Sequence, residues 1–332
     1  MTLRKLIAIL LILSLVLTVA GCGKKEEWVE YSPTYTATEM EAGTVVLGCS
    51  ELGAFAMNHV AQSYAAMQPK NTVEVKTMLH EDIIEAFINK EVDLLVSSYG
   101  SDQKQDDRIV AAYGENQVLS VRIGSDAYAV VVNAQNTAVT DLTKMELTGL
   151  FTAGEYGQDV TWSQLRPEWP AETVNRYGLP KGEALMGYFR ELVLGNKDLE
   201  DYTEKETSAE VLAAVAADPN GIAVLSLSTC LQGAEGVKLL PIDSGRGPIE
   251  PTLQNITGTG TIMGLYSEYS FPIFVYVSRT TMEAKPQVFD YLWYVLSEQG
   301  IRVTAQDYQF LPLTDEFYAN QIDIIANKTN KG

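Results

Sequence analysis

The sequence predicts an α/β fold of two lobes with a cleft between them. From Thr44 onward, short β-branched runs alternate with segments of helical periodicity, which is typical of a mostly parallel sheet. The alternation restarts after Asn133, and a later strand and helix at about 269–277 and 286–298 indicate a return to the first lobe. Sheets of this type bind ligands beyond the carboxyl ends of their strands, so we expect a site in the cleft.

The first 21 residues are typical of a secretory signal peptide. Arg4 and Lys5 precede an uncharged apolar run over residues 6–20, which is shorter than the about 20 residues of an ordinary spanning helix. The run closes on Val19-Ala20-Gly21-Cys22, which resembles the bacterial lipobox and implies that Cys22 carries diacylglycerol. We therefore expect an exported protein, anchored by its lipid to the outer face of the cell membrane. The alternative is a plain secretory signal with an incidental cysteine.

The composition indicates an acidic globular body. The chain holds 24 Lys and Arg against 43 Asp and Glu, a formal charge of −19, and loss of the signal peptide makes it −21. Nucleic acid and anionic lipid surfaces are therefore poor partners. Beyond Cys22 the cysteines are Cys49 and Cys230, which we expect to be isolated buried thiols; a disulfide between them is the alternative in an oxidising compartment. His59 and His80 lack the spacing of metal ligands, so structural roles are favoured and no metal or cofactor is expected.

The predicted domain boundaries follow the order of the elements. Residues 22–43 are polar and acidic without a sustained period, which favours a flexible tether. Lobe 1 is predicted over residues 44–127 and 266–332, and lobe 2 over residues 128–265. The first elements of lobe 1 are predicted to be strand 44–47, a helix through Phe55 and Tyr64, strand 72–77, helix 81–89 and strand 92–96. The loops that follow the first and third strands are the candidate binding loops.

An apolar strand, Asp126 to Asn133, leads into lobe 2. The elements after it are segments 145–151 and 173–177, helices 183–194 and 208–217, and strand 221–227. The glycine-rich stretch 258–264 lacks the Lys-Ser/Thr of a phosphate loop and the spacing of a dinucleotide fingerprint. We interpret it as a hinge or loop.

The segments of residues 44–313, in this order, resemble the phosphate-binding proteins of bacterial ABC importers, which have the type II periplasmic-binding-protein fold. The blocks that carry the resemblance are Asp126 to Asn133, Leu142 to Phe151, Trp162, Asp218 to Ala223, Pro251-Thr252 with Asn255, Phe271 to Val277, Leu292 to Gly300 and Leu311-Pro312-Leu313. The resemblance implies the two-lobe fold and a small oxyanion, phosphate first, as the ligand.

Two of the family's anion contacts fall on serines of lobe 1. A Gly-Ser-Ser-Thr-type loop in the family gives a hydroxyl and helix-end amides to the anion. Here Ser50 keeps a hydroxyl, while Glu51 stands at the usual threonine. The second contact falls on Ser97 and Ser98, for which ordinary turn roles at a strand end are the alternative. Glu51 either accepts the proton of monohydrogen phosphate or faces solvent.

The third family contact is an arginine followed by a Ser-Gly-Thr nest. Arg176 stands at the arginine, and a guanidinium binds an oxyanion in bidentate fashion; the alternative is a structural ion pair. The nest is missing, and the sequence in its place adds Lys181, either a ligand residue or a solvated cation. Glu183 follows, and it either accepts a ligand proton or caps a helix start.

The resemblance implies a solute-binding lipoprotein that delivers phosphate to the permease of an ABC importer. Its expected partners are therefore the small anionic solute, the permease and the membrane that holds its lipid. The same fold binding another small solute, or a sensory or interaction lipoprotein without transport, are the alternatives. We expect no enzymatic activity, because the loop at 48–53 misses the G-x-S-x-G elbow by one residue and neither histidine is placed to serve as its base.

Overall fold

The computed structural model describes residues 33–98, 103–232, 235–257, 266–305 and 310–326. The predicted signal peptide, Cys22 and the hinge stretch 258–264 lie outside the described residues. Everything that is described falls within one compact unit. Within these ranges, every helix is too short or too polar to span a bilayer.

Twelve strands and thirteen helices are assigned within the described ranges. The strands are β1 (Gly43–Cys49), β2 (Asn71–Thr77), β3 (Leu94–Ser97), β4 (Val118–Asn133), β5 (Leu142–Thr143), β6 (Asn175–Gly178), β7 (Thr203–Glu204), β8 (Gly221–Ser226), β9 (Val237–Leu240), β10 (Ile242–Asp243), β11 (Pro248–Ile249) and β12 (Ser270–Ser278). The helices are α1 (Glu51–Met67), α2 (His80–Ile88), α3 (Gln103–Tyr113), α4 (Lys144–Phe151), α5 (Trp162–Leu165), α6 (Ala184–Tyr188), α7 (Ser208–Ala217), α8 (Leu227–Leu231), α9 (Leu253–Thr257), α10 (Arg279–Ala284), α11 (Pro286–Leu296), α12 (Glu298–Ala305) and α13 (Asp315–Ala326). A π-helical turn, Phe189–Val193, extends α6.

The first part of the chain forms a parallel sheet with helical crossovers. Strand β1 pairs in parallel with β2 on one side and β3 on the other. Such pairing requires crossover connections, which α1 and α2 supply. Helix α1 buries Met57, Val60 and Tyr64, whose spacing of three and four residues places them on one face against the sheet. The predicted α/β alternation of this part is confirmed.

Strand β4 carries the chain from the first part of the sheet to the second. Its 16 residues are apolar and buried for most of their length. Residues 118–127 pair with β12, whereas 128–132 pair with β8 and 130–133 with β9, all antiparallel. The partner therefore changes between Ala127 and Tyr128, which supports the predicted start of lobe 2. The full division into lobes 44–127 plus 266–332 and 128–265 stays a prediction.

The second part of the sheet has its own hydrophobic core. Strand β6 pairs in parallel with β7 and β8, and a small second sheet contains β5, β10 and β11. Phe151, Trp162 and Phe189 are fully buried in this core. A separate cluster fills the first part, where β12 inserts between β3 and β4 and α11 packs with Tyr291 at its centre. Strand β4 joins these two clusters, and a third, smaller cluster around Phe87 and Leu95 lies between α2 and β3. The two large cores on one long strand fit the predicted two-lobe fold.

The predicted tether is docked on the body of the protein at Tyr35. Tyr35 is 3% exposed, and its hydroxyl donates a hydrogen bond to Asp290 at 2.6 Å. The backbone amide of Tyr35 donates to the side chain of Gln299, which donates in turn to the Tyr35 carbonyl. A buried aromatic ring with satisfied polar groups anchors the segment. Among residues 33–42 only Tyr35 is buried and most of the others are exposed, while Gly43 already belongs to β1. The flexible tether predicted over 22–43 stays a prediction, and residues 22–32 lie outside the described chain.

Candidate functional site

Three buried serines lie at neighbouring strand ends of lobe 1. Ser50 follows β1 and caps α1, Ser97 ends β3, and Ser98 follows it. Because Cys49 lies opposite Val96 in the register of these strands, the serines that follow them share one edge of the sheet. All three are at most 3% exposed. The structure thus brings together three of the predicted site residues.

One of these serines has an unsatisfied hydroxyl, and the first turn of α1 begins directly after another. The amides of Gly53 and Ala54 donate to the Ser50 carbonyl within the first turn of α1, which leaves the amides of Glu51 and Leu52 as its open donors. The Oγ of Ser98 is buried and has no hydrogen-bond partner among the described residues. A buried hydroxyl without a partner costs free energy that a ligand oxygen can recover. The positive end of a 17-residue helix favours an anion at this position.

Glu51 connects this edge of lobe 1 to lobe 2. Its Oε1 accepts a hydrogen bond from the Ser208 amide at 3.1 Å, and its Oε2 accepts one from Ser208 Oγ at 2.7 Å. Ser208 is the first residue of α7, so the carboxylate satisfies donors at the start of a helix from the other lobe. The sequence left two roles open for Glu51, exposure to solvent or acceptance of a ligand proton. The contacts with Ser208 correspond to neither of them.

Glu183 is a second carboxylate that faces Glu51. It precedes α6 as its N-cap residue and is 7% exposed. Burial, and to a smaller extent the Glu51 carboxylate, raise the pKa of the Glu183 carboxyl to about 7, although a hydrogen bond from the Ala184 amide opposes this shift. Burial, and to a smaller extent the negative charge of Glu183, raise the pKa of the Cys49 thiol to about 12. Glu183 is therefore a proton-carrying group of the cleft near neutral pH.

Arg176 has a structural environment. Its Nη1 donates to the carbonyl of Leu150 at 2.5 Å, and its Nη2 donates to the carbonyls of Gly157 and Gln158 at 2.8 and 3.0 Å. The side chain is buried and lines a cavity with Tyr177, apart from the one that contains Glu183. These contacts fit the structural alternative for Arg176, with carbonyl oxygens in place of an ion pair. The ligand role predicted for Arg176 stays a prediction.

Lys181 lies beside Glu183 but is already paired. Its Nζ is 2.9 Å from Asp201 Oδ1, and both side chains are exposed. Such a pair is weak in water, so the lysine remains available to an anion at modest cost. The structure brings Lys181 to the candidate site as a peripheral cation.

A cavity of about 400 Å³ is lined by Lys181 and Glu183 but by none of Ser50, Glu51, Ser97 and Ser98. It is lined by His80, Glu81, Lys181, Gly182, Glu183, Ala184, Met186, Gly187, Arg190, Asp198 and Leu199. Four of its charged or titratable residues were not predicted as site residues: His80, Glu81, Arg190 and Asp198. His80 lies 3.5 Å from Ser97 Oγ through its Nδ1. The position of His80 and Glu81 after β2, at the same sheet edge as the serines, is the signal that could have identified them.

Cys49 and Cys230 are free and buried, which confirms the prediction of isolated thiols. Among the described residues no group of three or more His, Cys, Asp or Glu could hold a metal ion.

A family model and several known proteins match this chain. A family model described as a PBP superfamily domain matches residues 34–299. Protein SphX of Synechocystis is 26% identical over 222 residues, which cover 66% of this chain and 64% of that protein. Phosphate-binding protein PstS of Staphylococcus saprophyticus is 25% identical over 215 residues, 63% of each chain. The matches thus span less than two thirds of these relatives.

A solved structure shows the same fold. The ABC-type phosphate transport receptor from Vibrio cholerae superposes with a TM-score of 0.63 at 17% identity, covering 81% of this chain and 100% of that chain. The predicted two-lobe α/β fold is confirmed by this similarity.

Proposed function

This chain belongs to the PBP superfamily, whose domain model matches residues 34–299, and we propose that it is a solute-binding protein that takes up a small oxyanion, phosphate first. It delivers this solute to the permease of an ABC importer and acts as a receptor rather than an enzyme. The names of its relatives support phosphate, since one is a phosphate-binding protein and a structural neighbour is a phosphate transport receptor.

The unpartnered Ser98 hydroxyl beside the start of α1 is the observation that carries the proposal. Ser50 and Ser97 supply further hydroxyls at the same edge, and Lys181 supplies a cation at its rim. A protonated Glu183 limits the repulsion of an anion near neutral pH and is able to donate a hydrogen bond to it. In this proposal Arg176 supports the fold rather than the ligand.

Calorimetric titration with phosphate and sulfate tests the ligand. The mature chain with Cys22→Ser, which needs no detergent, should bind phosphate, and Ser98→Ala should weaken binding by at least about fivefold, the loss of one hydrogen bond. Ser120→Ala is the matched control, because Ser120 is an exposed serine of β4, and it should bind like the parent. No binding of either anion at millimolar concentration would refute the oxyanion proposal.

The location is proposed on the N-terminal sequence. Cleavage before Cys22 and its lipidation would hold the body at the outer face of the cell membrane, tethered by residues 22–32. Cys22→Ser in the producing cell should release the protein from membranes or leave its precursor uncut. A variant that loses its signal yet stays with the membrane would contradict the lipid anchor.

A different small solute is the second candidate. The Glu51 and Glu183 carboxylates of the cleft, and the use of the Arg176 donors by backbone carbonyls, favour it. A panel of zwitterionic and neutral solutes in the same titration distinguishes this candidate, because such solutes would bind where phosphate and sulfate do not.

A further inference from the structure

Glu51 holds the two lobes together through the start of α7. Ser208, whose amide and hydroxyl both donate to the Glu51 carboxylate, is only 4% exposed. Charge-assisted hydrogen bonds are strong where water is excluded. The two carboxylate oxygens therefore occupy a place at a helix start that suits the oxygens of a bound oxyanion.

Apolar contacts fix the position of Glu51. Leu52, the next residue of α1, packs against the hydrophobic core of lobe 2. Leu79 of lobe 1 approaches Gly182 of lobe 2, with its Cδ1 atom 3.8 Å from where a Cβ at Gly182 would lie. Because packing accompanies the hydrogen bonds, the Glu51 carboxylate is held between the lobes.

The same residue lies next to the amides that would hold an anion. Glu51 is the first residue of α1, and the amides of Gly53 and Ala54 are directed at the Ser50 carbonyl. The donors that this helix start offers to a ligand are thus those of Glu51 and Leu52. An anion bound there lies within about one helical turn of the Glu51 backbone. The Glu51 carboxylate also contributes to the raised pKa of the Glu183 carboxyl, which lines the cavity.

We propose that Glu51 lowers the phosphate affinity of this cleft. Its carboxylate accepts the hydrogen bonds at the start of α7 that a ligand oxygen would otherwise accept, and its negative charge opposes an anion bound at the start of α1. This inference rests on the proposed function, since it concerns the same cleft. Removing the negative charge while keeping the shape of the side chain should therefore strengthen phosphate binding.

The test compares Glu51→Gln with a matched control. Glu210 is an exposed acid in the first turn of α7, so Glu210→Gln removes the same charge near the same helix but outside the cleft. Both variants and the parent, all as the mature chain with Cys22→Ser, are titrated with inorganic phosphate at neutral pH. Glu51→Gln should bind at least about tenfold more tightly, or about 1.4 kcal/mol. Glu210→Gln should stay within about twofold of the parent.

Each possible result of the titration either supports or overturns the inference about Glu51. Equal or weaker binding by Glu51→Gln than by a phosphate-binding parent, or equal tightening by Glu210→Gln, overturns the inference and leaves the proposed function standing. If Glu51→Gln binds phosphate and the parent does not, the inference is supported and phosphate is refuted as the ligand of the natural chain. If neither the parent nor Glu51→Gln binds while both unfold cooperatively in urea, the inference and the proposed function both fail.

Discussion

Replacing Glu183 with glutamine should stabilise the protein above pH 7 and have little effect near pH 5. The native pKa of the Glu183 carboxyl is about 7 against an ordinary value of 4.5, mainly because of burial. Between these values the native state keeps a proton that the unfolded state releases, so the free energy of unfolding falls as pH rises. One pKa unit corresponds to about 1.36 kcal/mol, which gives at most about 3 kcal/mol lost above pH 7. Glutamine carries no charge and avoids this loss.

Urea unfolding of the parent and of Glu183→Gln, measured at several pH values, gives the assay. The stability difference should grow between pH 5 and 7 by up to about 1.4 kcal/mol per pH unit, then stay constant. Burial raises the pKa of the Asp126 carboxyl to about 7 as well, but both proteins keep Asp126, so its contribution cancels. Glu210→Gln, which removes an exposed acid, is the control and should show no such growth. A difference that is the same at pH 5 and pH 8 would refute the buried, proton-carrying Glu183.

Two further predictions concern buried groups that the proposed function does not use as ligand contacts. Arg176→Ala should lower the free energy of unfolding by about 3 kcal/mol or more, because three backbone carbonyls lose their donor. The control, Arg190→Ala at the cavity, should change it by less than about 0.5 kcal/mol, and urea midpoints measure both. If Arg176→Ala is fully stable but no longer binds phosphate, Arg176 is a ligand contact. Cys49 and Cys230 should react with a thiol reagent only on unfolding, since burial raises both pKa values, that of Cys49 to about 12; fast labelling of the native protein would contradict their burial.

The architecture was predictable because its signals are local and periodic. The apolar run from Asp126 to Asn133 predicted a buried strand, and β4 extends it toward the N-terminus as far as Val118. Ser97 and Ser98 follow a β-branched run, and the carboxyl ends of parallel strands share an edge, which is why the sequence predicts that they lie near Ser50. These inferences depend on neighbours in sequence and on the geometry of sheets.

The environment of Arg176 was not predictable in the same way. Its acceptors are carbonyl oxygens of Leu150, Gly157 and Gln158, and every residue carries a carbonyl, so no residue type marks these three. The resemblance to a binding motif predicted a ligand contact because it compares side chains, whereas the fold of the 150–158 segment decides what the guanidinium meets. The docking of Tyr35 on Asp290 and Gln299 escaped prediction for a related reason, since its partners are more than 250 residues away.

The two glutamates of the cleft show how acids are accommodated where an anion is expected. Glu51 is compensated by two donors of Ser208, which lies 157 residues away, so no local capping pattern could announce the contact. Glu183 has one backbone donor, and its charge is moderated instead by a proton that the buried carboxyl retains up to about pH 7. Under the proposed function, an incoming oxyanion would meet one carboxylate held by hydrogen bonds and one that is neutralised as the pH falls. Proton uptake at Glu183 would thus reduce the repulsion between the cleft and a bound anion. The repulsion that comes from the Glu51 carboxylate would be removed only by replacing that residue.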